Sequence, residues 1–422
     1  MALAASTSSV PETAAAAHRG PDLLAAPWLT KAARAVAVAL AIAFAVTLAS
    51  GSGADTASGR LGGDYPAFYA AGRLITSSER STMYDPAQQA VTQQGLFPDD
   101  TDDGLLYFAY PPHTALAYAP LSHLPYRMSY ALHTLLMVGA LVAASYLVRP
   151  MVSLIDRHFE IVVIGAIAFY PMYRAITGGQ NTALTLLLLA GSWRAVHSDR
   201  DAVAGLLLGL LLFKPQFALP LIGLHLLARR WRLGMSAALT AITCWGIGAA
   251  FLGVGWLGRW MDSVRFFSDL DAHVNRRNAV SFLGVADTVF GVGNTVGRTL
   301  GAALALGTVV ALVALWRNRD RRRLCAPMMV ALPAIVLISP HAMFYDAGLL
   351  VLPLAALLAA RRARVRDVVI VLWFAGFLDI AKDAIGLTPL FAVTIAAFVL
   401  ALVVTVMADD EQPQALPIGG ST

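Results

Sequence analysis

An aspartate follows a glycine pair and precedes a cluster of aromatic residues in the stretch GGDYPAFYAAGRL, residues 62–74. The carboxyl group of Asp64 is expected to be ionised at neutral pH unless burial raises its pKa, since the reference value is about 3.9. An ionised carboxylate can take a proton from a hydroxyl group while that hydroxyl attacks an electrophilic carbon. The neighbouring glycines would let the backbone approach a bound substrate closely. Asp64 is therefore the first candidate for a general base.

Four further polar motifs interrupt the apolar runs of the chain. They are FAYPPH (108–113), TGGQN (177–181), FKPQ (213–216) and SPHAMFYD (339–346). Each is compatible with an ordinary turn or helix end, because Gly, Pro and Asn favour those positions. In the functional interpretation, Gln180 and Asn181 supply amides that can hydrogen-bond to hydroxyl groups. Lys214 is the first candidate to hold an anionic group, and His341 is the second.

Three tyrosines lie within or beside these motifs. Tyr65 and Tyr69 follow the candidate base, and Tyr110 lies in FAYPPH. Their rings could stack on a sugar ring, whereas anchoring at a membrane interface explains the same tyrosines equally well. Both interpretations stay open at the level of the sequence.

Composition identifies the class of protein that must position these residues. Of 422 residues, 58% are hydrophobic and 14% are charged, and the mean hydropathy is +0.65. A soluble protein of this size typically has a smaller fraction of apolar residues and a larger fraction of charged ones. An all-α polytopic membrane protein is therefore predicted. The chain lacks the strict alternation of membrane β-strands. Cys244 and Cys325, within or at the edge of apolar helices, suggest neither a disulfide framework nor a metal site.

Twelve apolar segments are predicted to be membrane helices, and basic residues set their orientation. The segments lie near 33–50, 126–148, 159–173, 181–196, 202–213, 216–229, 234–255, 295–316, 325–338, 343–360, 367–381 and 387–407. Most of the 31 Lys and Arg residues fall in alternate connections, including RRWR (229–232), RNRDRRR (317–323) and RRARVR (361–366). Cytoplasmic loops are enriched in basic residues, so both termini are predicted inside and the polar motifs outside. The net charge of +5 is thereby explained without a nucleic-acid partner.

The chain is predicted to form a single transmembrane domain over residues 33–407. Residues 1–32 show no periodicity and are predicted to be a disordered cytoplasmic tail, with residues 408–422 as a second cytoplasmic tail. The run 33–50 has some features of a signal peptide, but its leader is too long, so an uncleaved first helix is predicted.

Two predicted outer loops, 51–125 and 256–294, are long but too small for typical separate domains. YPAFYAAGRLI (65–75) and WMDSVRFFSDL (260–270) carry apolar and aromatic residues at helical spacing, which predicts helices lying along the membrane surface. The acidic PDDTDDG (98–104) lacks the ligand spacing of a calcium loop, so neither a metal nor a cofactor is predicted.

The fifth predicted helix is too short to cross a membrane fully. About 12 apolar residues at about 1.5 Å each cover roughly 18 Å of a hydrocarbon core about 30 Å thick. Lys214 is therefore expected below the outer surface, where a cation costs about 2.5–3.5 kcal/mol unless it is paired or hydrated. An anionic group should compensate it, either an aspartate of the protein or the phosphate of a bound lipid.

The ordered set of motifs resembles glycosyltransferase family 87. A first helix is followed by GGDYPAFYAAGRL, MYDP, FAYPPH, GGQNTALTLLLL, GLLLGLLLFKPQFALPL and SPHAMFYDAGLLVLP. The resemblance covers roughly residues 60–400, and its motifs are specific as a set rather than singly. The family belongs to the membrane C-type glycosyltransferase superfamily and includes mycobacterial polyprenol-phosphate-mannose-dependent mannosyltransferases.

The resemblance implies a fold, a reaction and roles for particular residues. It implies transfer of one sugar, mannose or arabinofuranose, from a polyprenyl-phosphate donor on the non-cytoplasmic face of the plasma membrane. The base of the family is an aspartate early in the first outer loop, which Asp64 matches. Its late outer motif corresponds to His341, Tyr345 and Asp346, which would contact the donor. The acceptor, a lipid or glycan hydroxyl, is not implied because members differ there.

The reaction is consistent with these residue types. Direct displacement assisted by one base inverts the configuration at the anomeric carbon, whereas retention would need a second carboxylate as nucleophile. Cationic side chains can stabilise a lipid monophosphate leaving group without a divalent metal. A transporter or flippase of a lipid-linked sugar stays open, and would need mid-membrane polar residues and repeat symmetry. A glycan ligase also stays open, and would need more cations at its phosphate pocket.

The charge pattern makes a topological prediction. Asp100→Cys and His273→Cys, on the predicted outer loops, should react with a membrane-impermeant thiol reagent in intact cells. Asp320→Cys, in a predicted inner loop, should react only after the membrane is permeabilised. Labelling of all three from the same side would contradict the twelve-helix arrangement.

Overall fold

The computed structural model describes residues 23–50, 59–97, 104–317, 325–360 and 362–410. Across these ranges the regular elements are helices, and strand-like pairing is confined to an isolated antiparallel bridge between Ala279 and Met343. The α-helices are α1 Pro27–Ser50, α2 Tyr65–Thr76, α3 Pro86–Gln94, α4 Pro112–Ser122, α5 Tyr126–Val148, α6 Ser153–Arg157, α7 Phe159–Ala168, α8 Tyr170–Thr177, α9 Thr182–His197 and α10 Asp201–Leu210. The second half continues with α11 Pro215–Leu227, α12 Trp231–Leu252, α13 Trp256–Val274, α14 Phe282–Phe290, α15 Thr295–Arg317, α16 Cys325–Ile338, α17 Val351–Leu358, α18 Ala363–Ala375, α19 Lys382–Ile385 and α20 Leu390–Asp410. The all-α prediction is thereby confirmed for the described chain.

Five of the described helices are long and apolar enough to cross a membrane. They are Pro27–Ser50, Tyr126–Met151, Trp231–Leu252, Thr295–Arg317 and Leu390–Met407. The bent pair α7–α8 would be a sixth span if its two parts count as one. Shorter apolar helices account for other predicted segments, and they are Asp201–Phe213, Pro215–Leu227, Met328–Ile338 and Phe344–Leu358. The chain is thus a multi-pass helical protein, whereas the predicted count of twelve spans is not confirmed.

The predicted helix over 159–173 is broken in the structure. α7 ends at Ala168 and α8 begins at Tyr170, with a bend of 71° between them. Pro171 explains the break, since it has no backbone N–H to donate and its ring clashes with the preceding turn. The backbone of Phe169 is extended, which redirects the chain towards the glycine-rich turn that follows α8.

The predicted surface helix at 65–75 forms as α2, but it does not lie on a surface. Nearly all of its residues are buried, and it packs against α4. The ring of Tyr65 is fully buried and stacks on His133 with centroids 4.7 Å apart, while Phe68 stacks on Tyr118 at 4.7 Å. The helical spacing thus predicts the helix itself, whereas an aromatic core buries the residues that placement at the membrane interface would expose. By contrast, most of α13, which contains the predicted helix 260–270, is exposed.

Two terminal helices extend past the predicted bounds 33–407. α1 starts at Pro27, so residues 27–32 are helical rather than part of a disordered tail. Pro is favoured in the first helical turn because its missing N–H would be unpaired there anyway. α20 extends to Asp410, three residues beyond the predicted end of the domain. Residues 1–22, 98–103 and 411–422, which include parts of the predicted tails and acidic loop, lie outside the described residues.

Hydrogen bonds bring the connections between helices together in one region. The backbone N–H of Val280, before α14, donates to the carbonyl of Ala342 at 2.9 Å. The indole of Trp260 on α13 donates to the carbonyl of Ala109 at 2.9 Å. The Thr388 N–H donates to the carbonyl of Arg277 at 3.1 Å. The outer motifs predicted from the sequence therefore share a common neighbourhood, although they are far apart in the chain.

Candidate active site

The Asp64 backbone is fixed by contact between two glycine turns. Its N–H donates to the carbonyl of Gly178 at 3.0 Å, which joins the start of α2 to the end of α8. Gly179 has a φ of +69°, and a Cβ there would lie 2.5 Å from the Gly62 carbonyl oxygen and 2.5 Å from the Tyr65 Cβ. Only a residue without a side chain permits this approach. The glycines in the two motifs thus position the backbone that carries the aspartate.

The carboxylate of Asp64 is held by Gln180. The Gln180 side-chain amide donates a hydrogen bond to Oδ2 of Asp64. Asp64 occupies the N-cap position of α2, where an aspartate side chain often accepts a backbone N–H of the first turn. The carboxylate of Asp64 makes no hydrogen bond to the first turn of α2, and Asp64 remains partly exposed. An aspartate that does not cap its own helix is available for another role.

The surroundings shift the pKa of Asp64 to about 6. Burial is the largest cause, because it disfavours the charged form. The Gln180 hydrogen bond lowers the pKa, the charge of Asp271 raises it, and the more distant cation of Arg174 lowers it. A carboxylate with a pKa near 6 is still mostly ionised at neutral pH and is a stronger base than an exposed aspartate.

Tyr110 links Asp64 to a second charged cluster. Burial raises the pKa of its phenol, the charge of Lys214 lowers it, and the charges of Asp346 and Asp64 raise it. The phenol also faces the side chain of Asn181. Residues from four other segments therefore act on one partly exposed tyrosine.

Lys214 is paired with an aspartate of the protein. Its Nζ lies 2.8 Å from Oδ1 of Asp346, and both side chains are only 4% exposed. The other carboxylate oxygen of Asp346 accepts the N–H of Met343 at 3.1 Å. The Lys214 ammonium also lies 5.8 Å from the ring centroid of Tyr345. Of the two kinds of anionic partner predicted for Lys214, the structure shows a contact with a carboxylate of the protein.

Asp346 lies in a 3-10 helix instead of the α-helix predicted for its segment. The segment 343–360, predicted as one helix, begins with a 3-10 helix over Phe344–Leu350 and continues as α17. The N–H of Asp346 donates to the carbonyl of Met343 at 2.8 Å, which closes the first tight turn. This turn directs the carboxylate inwards to Lys214.

Asp271 was missed by the sequence reasoning and is a second buried carboxylate near Asp64. Its Oδ2 lies 3.4 Å from Nδ1 of His341, and its Oδ1 accepts a hydrogen bond from the Asn275 amide at 2.7 Å. Burial raises the pKa of Asp271, while the charge of His341 and the Asn275 hydrogen bond lower it. A signal was present in α13, where the spacing of Trp256, Trp260, Ser263, Phe267 and Asp271 follows one helical face.

Several buried polar atoms beside Asp64 have no hydrogen-bond partner of good geometry. They are Oε1 of Gln180, both side-chain polar atoms of Asn181, and Oγ1 of Thr182. Buried polar groups are nearly always satisfied in folded proteins, so a cluster of exceptions is characteristic of a site that receives a polar ligand or water. The turn predicted to bind hydroxyl groups therefore has donors and acceptors to offer.

The structure argues against substrate stacking by two of the three predicted tyrosines. Tyr65 is fully buried, and its hydroxyl pairs with Ser129 Oγ at 2.5 Å. Tyr69 is 3% exposed, and its hydroxyl donates to the Leu124 carbonyl at 2.8 Å. Rings enclosed by protein have no free face for a sugar, so both residues are assigned to the aromatic core. Tyr110 keeps a partly exposed ring among Asp64, Lys214 and Asp346.

Among the described residues, no group of three or more His, Cys, Asp and Glu side chains has the arrangement of a metal site. The Asp271–His341 pair brings one imidazole to one carboxylate, and the adjacent carboxylates are used elsewhere. Asp64 is bound by Gln180 and Asp346 by Lys214.

Comparison with known proteins adds information on part of this site. The model of glycosyltransferase family 87 matches residues 108–340, more than half of the chain. The chain is also 27% identical over 259 residues to the polyprenol-phosphate-mannose-dependent alpha-(1-2)-phosphatidylinositol pentamannoside mannosyltransferase of Mycobacterium tuberculosis (strain CDC 1551 / Oshkosh). That match covers 58% of this chain and 57% of the relative, so the chain spans little more than half of the relative's length. The family match includes Tyr110, Gln180, Asn181 and Lys214, but not Asp64, His341, Tyr345 or Asp346.

The Lys214–Asp346 pair makes a prediction about stability. Lys214→Met should lower the free energy of unfolding by about 3–5 kcal/mol, because it leaves a buried carboxylate without its counter-charge. The double variant Lys214→Met/Asp346→Asn should recover most of that loss, since neither charge remains. Thermal unfolding of the purified protein in detergent measures both effects. An unchanged melting temperature in Lys214→Met, together with weaker donor binding, would instead favour a phosphate as the partner.

Proposed function

Because the chain belongs to glycosyltransferase family 87, we propose that it transfers one sugar from a polyprenyl-phosphate donor to a hydroxyl group of a lipid or glycan acceptor. The mycobacterial relative is named as polyprenol-phosphate-mannose-dependent, which supports this donor class and favours mannose over arabinofuranose. The enzyme would accordingly be a hexosyltransferase, with pentosyl transfer as the alternative. Membership of this family also favours transfer over the transporter or flippase considered from the sequence.

The observation that carries the mechanism is the placement of Asp64. Its partly exposed carboxylate, with a pKa raised to about 6, lies within electrostatic range of Tyr110, which in turn faces Asn181. As general base, Asp64 takes the proton of the acceptor hydroxyl while that oxygen attacks C1 of the donor sugar. The bond between C1 and the phosphate oxygen breaks, and the electron pair leaves with the lipid phosphate. Attack opposite the leaving group inverts the configuration at C1.

The second carboxylate near Asp64 is poorly placed to act as a nucleophile for a retaining reaction. Asp271 is 6% exposed and is already held by both His341 and Asn275. A nucleophile must reach C1 of the sugar, whereas this carboxylate is directed to its protein partners. The arrangement supports the single-displacement route.

The turn between α8 and α9 is suited to bind the donor sugar. The unsatisfied atoms of Gln180 and Asn181 can exchange hydrogen bonds with sugar hydroxyls, while the partly exposed ring of Tyr110 can pack against the sugar. Gln180 would then have two functions, because the same amide group orients Asp64 through its nitrogen and offers its oxygen to the substrate.

His341 is the stronger of the two predicted candidates for the leaving phosphate. Its ring is partly exposed, and the buried Asp271 carboxylate lies close enough to Nδ1 to orient the imidazole. Tyr345 is also partly exposed and can donate its hydroxyl hydrogen to a phosphate oxygen. Lys214 is neutralised by Asp346, so this pair would mainly fix the loop that carries Tyr345.

The proposed site lies on the extracytoplasmic side of the plasma membrane. The basic clusters in alternate connections support this orientation, since they mark the opposite ends of the helices as cytoplasmic. A lipid-linked donor would reach the site from the adjacent leaflet. The acceptor would approach from the aqueous side or from the same leaflet.

The central prediction concerns the base. Asp64→Asn should fold, insert and bind a polyprenyl-phosphate sugar, but its turnover should fall by about 10²–10⁴, because an amide cannot take the proton. Turnover and donor affinity are measured on the same purified sample. Asp85→Asn is the matched control, because Asp85 is exposed and caps α3 through the Ala87 N–H at 2.9 Å. Near-normal turnover in Asp64→Asn would remove this residue from the mechanism.

The pKa of Asp64 predicts the pH dependence of the reaction. kcat/KM should fall as the pH decreases through about 6, because protonated Asp64 cannot accept a proton. Gln180→Leu removes a hydrogen bond that favours the ionised form, so the acidic limb should move to higher pH. Because Asp271 and Arg174 also act on Asp64, both should be kept unchanged in this comparison. An acidic limb that does not move in Gln180→Leu would belong to another group.

A further inference from the structure

Two cations lie against the ring of Phe344, which belongs to the late polar motif SPHAMFYD (339–346). The Arg174 guanidinium carbon, on α8, is 5.7 Å from the ring centroid, and the Lys382 ammonium, at the start of α19, is 4.5 Å from it. Both distances are in the range of cation–π contacts. Three segments that are distant in the chain thus bring two positive charges to one aromatic side chain, called here the Phe344 cradle (Arg174, Phe344 and Lys382).

Neither cation of the cradle has a direct ion pair with a described carboxylate. Arg174 is exposed and donates to the Tyr170 hydroxyl at 3.3 Å, and Lys382 Nζ donates to the Asn278 side-chain oxygen at 2.5 Å. Both partners are neutral. Lys214 provides a contrast, because it is buried and directly bonded to Asp346. The cradle therefore presents positive charge that direct contacts within the protein leave available.

The two cations also repel each other. Burial is the main cause that lowers the pKa of Lys382, and the charge of Arg174 lowers it further. Asp379 and Asp383 act in the opposite direction and favour the charged ammonium. Asp379 itself is almost fully buried and is bonded to the Thr388 hydroxyl, so it acts on Lys382 from a distance. An anion between Arg174 and Lys382 would relieve their repulsion.

The cradle borders the candidate active site. The charge of Arg174 acts on Asp64, and the rings of Phe344 and Tyr345 are in edge contact with centroids 5.3 Å apart. Arg174 is also only four residues before Gly178, whose carbonyl holds the Asp64 N–H. A substrate that lies against Asp64 and Tyr345 can therefore extend a charged group to the cradle.

We propose that the Phe344 cradle binds a phosphate ester of one of the two substrates through Arg174 and Lys382, and this inference rests on the proposed function. Guanidinium binds phosphate oxygens in a bidentate manner, and an ammonium adds a point charge, so the pair suits a phosphate better than a neutral sugar. The ester is either the monophosphate of the donor lipid or the phosphodiester of an anionic lipid acceptor. Both share the chemistry that the cradle recognises.

The experiment compares each phosphate lipid with a neutral counterpart. The full-length protein in neutral detergent is titrated with farnesyl phosphate and farnesol, and separately with phosphatidylinositol and diacylglycerol. The ratio of the two dissociation constants in each pair reports the contribution of the phosphate. Arg174→Gln/Lys382→Gln should reduce this ratio at least about tenfold in one pair, as expected for lost charge-assisted hydrogen bonds. A reduced ratio in the farnesyl phosphate pair assigns the cradle to the donor, and a reduced ratio in the phosphatidylinositol pair assigns it to the acceptor.

The proposal would be overturned if the double Gln variant left the ratio of dissociation constants unchanged in both pairs. That outcome includes an equal loss of affinity for the phosphate lipid and for its neutral counterpart. Arg265→Gln is the matched control, because Arg265 is exposed on α13 and pairs with Asp262. The charge-conserving Arg174→Lys/Lys382→Arg should retain most of the ratio. If the double Gln variant does not fold, the exposed Arg174→Gln alone should still reduce it. Sugar transfer by the wild-type protein is measured first, so a failure of the cradle is distinguished from a failure of the proposed reaction.

Discussion

The close approach of two glycine turns is the constraint on which the candidate site depends. Gly62 and Gly179 lie so near each other that a Cβ on the second would meet the carbonyl oxygen of the first at 2.5 Å. That approach lets Gly178 accept the N–H of Asp64 and lets Gln180 reach its carboxylate. One backbone contact consequently sets the positions of Asp64, which is the proposed base, and of the neighbouring Gln180 and Asn181 amides.

Charge compensation divides the surrounding polar residues into two kinds. Lys214 and Asp346 neutralise each other in a buried pair, which suits a structural role for a lysine that would be costly alone in an apolar region. Asp271 and His341 form a looser pair whose histidine remains partly exposed. Arg174 and Lys382 share an aromatic ring rather than a carboxylate. The charge of Lys214 is therefore cancelled within the protein, whereas the two cations of the cradle are left without a described carboxylate in direct contact.

These features are consistent with the demands of sugar transfer from a lipid phosphate. The acceptor hydroxyl needs a base, the sugar needs hydrogen-bonding groups, and the departing phosphate needs positive charge. Asp64, the turn at Gln180 and the cations near Tyr345 are separate groups suited to these tasks. Their common location beside helices long enough to span a membrane is also suited to a donor with an apolar tail.

The sequence by itself determined the helical class, the approximate place of the long apolar helices and the motifs that supply the candidate site. Apolar run length, helix periodicity and local turn residues carry that information, which is why Asp64, Gln180 and Lys214 could be singled out. Only the tertiary structure decided which of two partners Lys214 takes, that Tyr65 is enclosed in an aromatic core, and that Asp271 joins His341. Those outcomes depend on contacts between residues far apart in the chain, such as the 132 positions that separate Lys214 from Asp346. Local sequence preferences carry little information about such contacts, because they are set by how whole helices pack.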